Sequence, residues 1–319
     1  MKIIHLSILL SIFTLHNICS QETLPIYTDY LTDNIFLIHP TAAGISNYGK
    51  IRVTGRKQWL DYNNAPELQT LSFHMHLGDN SAIGAVLFND KIGHFSKSGG
   101  QISYAYHINM DVNNVNQLSF GLSLILLQNS LDGRDFNLQD SDVTNTFISK
   151  SYVNADASIA YRNKGFYSFY TIKNLLLTKR DLFDNTIEST NLRRHLITLG
   201  YYINEDNKEA FIKFQPSVMA QYIEQTKEIF LDTNLKVFFP FNKGEFWGGI
   251  SYRKGLDKSS LENSNHITPF LGVKYKNFIV SYAYTKQTNN TVFLTGEFHQ
   301  ITLGYNFFIQ KYRRATWDL

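Results

Sequence analysis

From residue 50 to residue 308, short segments that alternate between apolar side chains and polar or small ones recur along the chain. Ile102, Tyr104, Tyr106 and Ile108 interleave with Gln101, Ser103, Ala105 and His107. Successive side chains of a β-strand point to opposite faces, so such a segment is a strand with one oily and one wet side. Val153, Ala155, Ala157, Ile159 and Tyr161 likewise oppose Tyr152, Asn154, Asp156, Ser158 and Arg162, and a row holding an Asp and an Arg suits a watery interior. The last segment sets Ile301, Leu303, Tyr305 and Phe307 against Gln300, Thr302, Gly304 and Asn306. Left at the edge of an open sheet it would expose an unpaired apolar strand, a liability that closure of the sheet removes. Its natural partner is the first strand-like stretch, Lys50–Trp59.

About fourteen such segments are predicted: Lys50–Trp59, Gln69–Leu77, Ala82–Asp90, Ser98–Ile108, Asn116–Asn129, Tyr152–Arg162, Gly165–Ile172, Arg193–Ile203, Ala210–Tyr222, Glu228–Phe238, Phe246–Arg253, His266–Tyr275, Phe278–Tyr284 and His299–Phe308. The connections take turns. Even ones are short, such as Gly78–Ser81, Asn163-Lys164 and Lys276-Asn277, and odd ones are mostly long, notably Ser130–Ser151, Lys173–Leu192, Lys254–Asn265 and Thr285–Phe298. Outer-membrane barrels have short periplasmic turns, longer external loops, an even strand count and aromatic girdles. A soluble β-sandwich also alternates along its strands but does not alternate its loop lengths. The expected fold is therefore all-β, a transmembrane antiparallel β-barrel over residues 50–308, with Tyr104, Tyr106, Tyr161, Tyr201, Tyr282, Tyr284, Tyr305 and Phe307 near strand ends on the lipid face.

The flanks agree with export. Residues 1–20 have a basic start at Lys2 and an apolar run, as a cleaved signal peptide does. Lipidation of Cys19 would want a small residue before it and an aliphatic one three before, where Ile18 and His16 stand; cleavage after Ser20 leaves no cysteine at all. Residues 21–49 form an N-terminal periplasmic or lumen-facing arm. Its pattern predicts a short helix capped at Thr28 or Asp29, presenting Tyr30, Leu31, Asn34, Ile35 and Ile38 on one face and ended by Pro40. Residues 309–319 are a C-terminal tail.

No enzyme signature survives inspection. His74 and His76 share a strand face without an acidic or thiol ligand nearby. Ser103 with His107, or Ser281 with His299, has no orienting third group. Asp140-Ser141-Asp142 lacks the glycine and distal Glu of a calcium loop. The expectation is no catalytic residue, no cofactor and no metal. A net charge of +3 without a basic, aromatic-interleaved block gives nucleic-acid binding no support.

One composition is not generic. Arg56-Lys57-Gln58-Trp59 is followed by Ala65-Pro66 and Gln69–Ser72, and Phe88-Asn89-Asp90-Lys91-Ile92-Gly93 closes the third segment at the same end. With Ile38-His39-Pro40-Thr41-Ala42-Ala43-Gly44, Tyr27–Tyr30, Ser103–Tyr106, Leu118–Leu122, Lys173–Leu176, Gln215-Pro216-Ser217, Phe246–Arg253 and His299–Asn306, the chain resembles the PorP/SprF family of type IX secretion outer-membrane proteins. His39 stands where that pattern has Asn, and Ala42 where it has an aromatic residue. The resemblance implies a barrel without chemistry that supports export or surface attachment of large adhesins with a C-terminal sorting domain. It implies contact with outer-membrane lipid and with periplasmic ring components, and energy from an inner-membrane motor. The family-motif residues it marks as partner-contact candidates are Pro40, Gly44, Arg56, Gln58, Trp59, Ala65, Pro66, Asn89, Asp90, Lys91 and Gly93. The alternative reading is a small-solute porin.

Overall fold

The computed structural model describes residues 31–60, 64–111, 116–134, 147–176, 192–204, 210–256, 265–288 and 297–309. The expected signal peptide, residues 1–20, and the tail beyond residue 309 lie outside them. Fourteen strands form one closed antiparallel barrel in which each strand pairs with its chain neighbours and the last with the first. They are β1 (Tyr48–Gln58), β2 (Glu67–His76), β3 (Ser81–Ile92), β4 (Phe95–Asn109), β5 (Asn116–Asp132), β6 (Phe147–Asn163) and β7 (Phe166–Lys173). The second half holds β8 (Arg194–Tyr201), β9 (Lys213–Ile223), β10 (Ile229–Phe241), β11 (Gly244–Gly255), β12 (His266–Tyr275), β13 (Phe278–Gln287) and β14 (Glu297–Ile309). The closing ladder sets Lys50 opposite Asn306 and Arg56 opposite Gln300, so the predicted first and last partners do meet.

The period-2 pattern decides which way each side chain faces. On β5, Leu122, Leu124 and Leu126 are exposed on the outside, whereas Gln117, Ser119 and Ser123 are buried on the inside. Tyr104, Tyr106, Tyr161, Tyr201 and Tyr305 are exposed near the short-turn ends of their strands, as a girdle at the headgroup level requires. One connection departs from the predicted alternation. Strand β4 begins at Phe95, so the third connection is only Gly93-His94, and Lys91 and Ile92 belong to β3 rather than to a loop. Gly93 makes this turn at φ +56°, a region glycine enters at no steric cost.

Two ladders break beside prolines, which cannot donate a backbone hydrogen bond. Pairing of β8 with β9 stops at Gly200–Ser217, next to Pro216. Pairing of β12 with β13 skips from Ile267–Lys286 to Phe270–Ala283 around Pro269. There a Thr268–Thr285 hydroxyl contact of 2.8 Å spans the gap.

Candidate functional site: the occupied bore

Residues 31–47 lie inside the barrel. Among the described residues, the apolar clusters all form where this segment meets the wall. Ile35, Phe36, Leu37, Ala42, Ala43 and Ile45 pack on Ala82, Val86, Ala105, Ala160, Tyr167 and Phe169. Leu31 packs on Phe238, Trp247, Phe270, Ile279 and Ala283, and Ile38 on Leu196 and Met219. The wall makes room by presenting small residues inward. A Cβ on Gly84 would fall 2.3 Å from the Phe36 ring, and one on Gly121 would fall 2.6 Å from the Thr41 backbone nitrogen.

The segment is not the single helix expected from its pattern. Leu31 and Thr32 are already in 3₁₀ conformation, and short separate 3₁₀ turns follow at Ile35–Leu37 and Pro40–Ala42; Thr28, Asp29 and Tyr30 lie outside the described residues. Pro40 starts the last of these turns instead of ending a helix; at that position its missing N–H costs nothing and its fixed φ is already helical. Asn34 precedes the Ile35–Leu37 turn without capping it, because its side-chain amide donates to Ser72 Oγ at 3.0 Å. Wall contacts won over helix propagation, which a short segment sustains poorly alone.

Polar contacts run around the circumference. Thr41 N–H donates to Ser158 Oγ at 2.9 Å, and Gly44 N–H to His74 Nδ1 at 3.2 Å. His107 Nε2 lies 2.9 Å from Ala43 O. Lys173 Nζ donates to Leu37 O at 2.9 Å, and Gln300 Nε2 to Thr32 Oγ1 at 2.9 Å. His39 is fully enclosed, with Nδ1 2.7 Å from Thr171 Oγ1 and Nε2 2.9 Å from Thr198 Oγ1. Its ring stacks on Phe169 at 4.8 Å. Burial, with Lys173 adding to it, pushes the imidazole pKa down to about 3. It is therefore neutral, one ring nitrogen donating to a threonine and the other accepting. The departure from Asn at this position is absorbed by two threonines that use both nitrogens.

Asp33 is the segment's charged anchor. Arg52 donates to its Oδ2 from Nη2 at 2.6 Å and from Nε at 3.2 Å, and Lys50 Nζ is 3.7 Å from Oδ1. Burial would raise this carboxyl's pKa, but Lys50, Arg52 and Lys236 outweigh burial and hold it below the usual carboxylate range. Asp33 sits at φ +69°, a conformation Asp tolerates better than most residues. Two small cavities flank it. One of about 30 Å³ is lined by Asp33, Lys236, Tyr167 and Gln215; the other, of about 10 Å³, by Asp33, Lys50, Lys236, Glu245, Lys274 and Asn306. Each has room for a water or two.

The residues singled out from sequence are distributed, not gathered in one patch. Pro40 and Gly44 belong to the enclosed segment. Arg56 and Asp90 face the bore at the long-loop end, both in register with Leu68 on β2. Asn89 and Lys91 face outward at the same end, where Lys91 opposes Glu67. Gln58 N–H donates to Pro66 O at 2.9 Å, which folds Trp59 and Ala65 into the first loop. The Ser–His pairs for which the sequence offers no third group do not meet. Ser281 faces the bore and donates to Thr32 O at 3.3 Å, while His299 lies on the outer face against Tyr282. Ser103 Oγ instead contacts Ser123 Oγ at 2.8 Å, and His107 Nδ1 lies 2.8 Å from Ser119 Oγ. Among the described residues no group of three His, Cys, Asp or Glu side chains could hold a metal ion.

Sequence reasoning missed Asp33, Arg52, Thr171 and Thr198. The available signal was the inward row of β1, where Lys50, Arg52, Thr54 and Arg56 are polar at every second position.

Solved structures of similar fold are outer-membrane channels. The CymD monoaromatic hydrocarbon channel aligns with a TM-score of 0.53 at 10% identity, over 86% of this chain and 93% of its own. The Ralstonia pickettii toluene transporter TbuX aligns with a TM-score of 0.52 at 10% identity, over 86% and 93%. At that identity the likeness shows the fold. No curated protein matches. The model of the type IX secretion system membrane protein PorP/SprF matches residues 19–305. A closed fourteen-stranded barrel with an oily outside, matched along nearly its whole length by that model, belongs to the PorP/SprF family of type IX secretion outer-membrane proteins.

Proposed function

We propose that this barrel performs no chemistry and supports export, surface attachment or both for large adhesins carrying a C-terminal sorting domain. Its long-loop end engages the adhesin, and its short-turn end meets periplasmic ring components of the same machine. The N-terminal arm stoppers the bore, so the barrel acts as a docking body and not as an open conduit. The observation that supports this reading is the occupied bore: apolar contacts run from Leu31 to Ile45, polar contacts reach both halves of the wall, and the two cavities beside Asp33 measure about 30 and 10 Å³.

The competing porin reading predicts steady ion conductance from the purified protein in planar bilayers and adhesin export that is indifferent to loss of the gene. The secretion reading predicts a closed barrel, and adhesins missing from the surface of a deletion strain until the gene is restored. Deleting residues 22–44 tests the arm. Unchanged export together with unchanged outer-membrane permeability would remove it from the mechanism.

A further inference from the structure

The arm and the wall divide their charges unequally around the two small cavities. Among the described residues the arm contributes one carboxylate, Asp33. The wall faces it with Lys50, Arg52 and Lys236, and Lys274 lines the lower-volume cavity with Lys50 and Lys236. Of the residues lining that cavity, Glu245 is the one other carboxylate. Farther round, Lys173 lies 3.8 Å from Asp156, a pair of no net charge. Among the described residues at these cavities, withdrawing Asp33 thus leaves four wall cations against one wall carboxylate. Lys50 and Arg52 are each 1% exposed with the arm in place, so they become available to a ligand only when the arm moves.

We infer that Asp33 is the latch of the arm, and that its release uncovers an anion-binding constriction built from Lys50, Arg52, Lys236 and Lys274. The unlatched barrel passes small inorganic anions in preference to cations. Two physical reasons carry this. Removing one partner of a buried ion pair leaves the other charge uncompensated in a medium that solvates it poorly, so the docked state suffers far more than an exposed pair would. A narrow bore lined by one sign of charge concentrates the opposite ion. The inference rests on the arm being the stopper, but it concerns the barrel's own ion selectivity and is independent of any cargo.

The test uses the full-length mature protein in planar bilayers under a KCl gradient. Asp33→Asn removes the latch charge. Gly121→Val unseats the arm by a different route, through the overlap with Thr41. Rapid migration of unheated samples on SDS gels checks that each barrel is closed. The wild type is expected to stay mostly shut, and Asp33→Asn to raise the open fraction roughly a hundredfold, as loss of a buried pair partner implies. Both variants should show a reversal potential of the sign for chloride over potassium. Adding Lys50→Gln and Arg52→Gln to Asp33→Asn should abolish that preference. A shut Asp33→Asn barrel beside an open Gly121→Val barrel would overturn the latch. Open variants that prefer potassium, or keep their chloride preference without Lys50 and Arg52, would overturn the anion constriction. If both variants stay shut, the inference and the stopper reading fail together.

Discussion

Acid should loosen the arm through His39. Enclosed between Thr171 and Thr198, its imidazole has a pKa of about 3, against 6.5 once the arm is in water. Because the docked value is depressed, docking is unpenalised above pH 6.5 and weakens as pH falls toward 3. Near pH 5 the free imidazole must give up a proton to dock, at 1.36 kcal/mol per pH unit over 1.5 units. That amounts to about 2 kcal/mol, or roughly a thirtyfold rise in undocked arm. Asp33 cannot cause this, since its carboxyl is held below 3.8 and stays ionised at pH 5. Lys173, itself 3.8 Å from Asp156, is the charged neighbour of His39 on the wall, and His74 and His107 face the arm at Gly44 and Ala43. These groups are common to wild type and a His39→Asn variant, whose amide keeps a donor and an acceptor for the two threonines but cannot take a proton. Hydrogen exchange of residues 31–47, corrected for the intrinsic rate, reads the docked fraction at pH 7.5 and 5. The wild type should lose about thirtyfold more protection than His39→Asn on acidification. An equal loss in both proteins would refute the reasoning.

Three other perturbations separate the wall from the arm. Leu124→Arg puts a charge on the outer face midway along β5 and should cost about 2–4 kcal/mol in a lipid-embedded urea titration. Asp232→Asn strands Arg253, whose Nη1 lies 3.4 Å from the carboxylate with both side chains at most 3% exposed. It should destabilise the barrel by about 3–5 kcal/mol, and Arg253→Gln in the same chain should recover part of that loss in the same titration. Gly84→Leu displaces the Phe36 ring, forfeiting about 1.5–3 kcal/mol of burial. Exchange should speed up in residues 31–47 while the β4–β5 ladder keeps its protection.

The wall was legible because a strand's two faces are written into adjacent residues. Gln101 to Ile108 disclose their orientation with no knowledge of any partner, and closure followed from the oily face of β14 needing a neighbour. The errors in the wall were local. The start of β4 was placed three residues late because Phe95-Ser96-Lys97 has no apolar alternation, although its pairing with β3 and β5 is continuous. The arm was far less legible. His39 meets threonines 132 and 159 residues away, and Asn34 meets a serine 38 residues away. No local periodicity encodes such contacts, so the helical pattern of the segment gives way to short 3₁₀ turns imposed by long-range bonds.

That difference has a physical consequence for how the two parts are held. The wall is sustained by its backbone ladder and by lipid, neither of which needs a packed interior. Its inward face mixes polar side chains with apolar ones, and each apolar cluster described includes at least one residue of the arm. An ordinary globular protein loses its fold when its core is withdrawn, because core and scaffold are stabilised together. Here the core sits on a separate segment, so withdrawing it costs the burial of Leu31 to Ile45 but spares the ladder hydrogen bonds of the wall. A barrel so built can let go of its contents and still remain a barrel. Full-length variants such as Asp33→Asn and Gly84→Leu should therefore lose arm protection long before they lose the rapid gel migration of the closed wall.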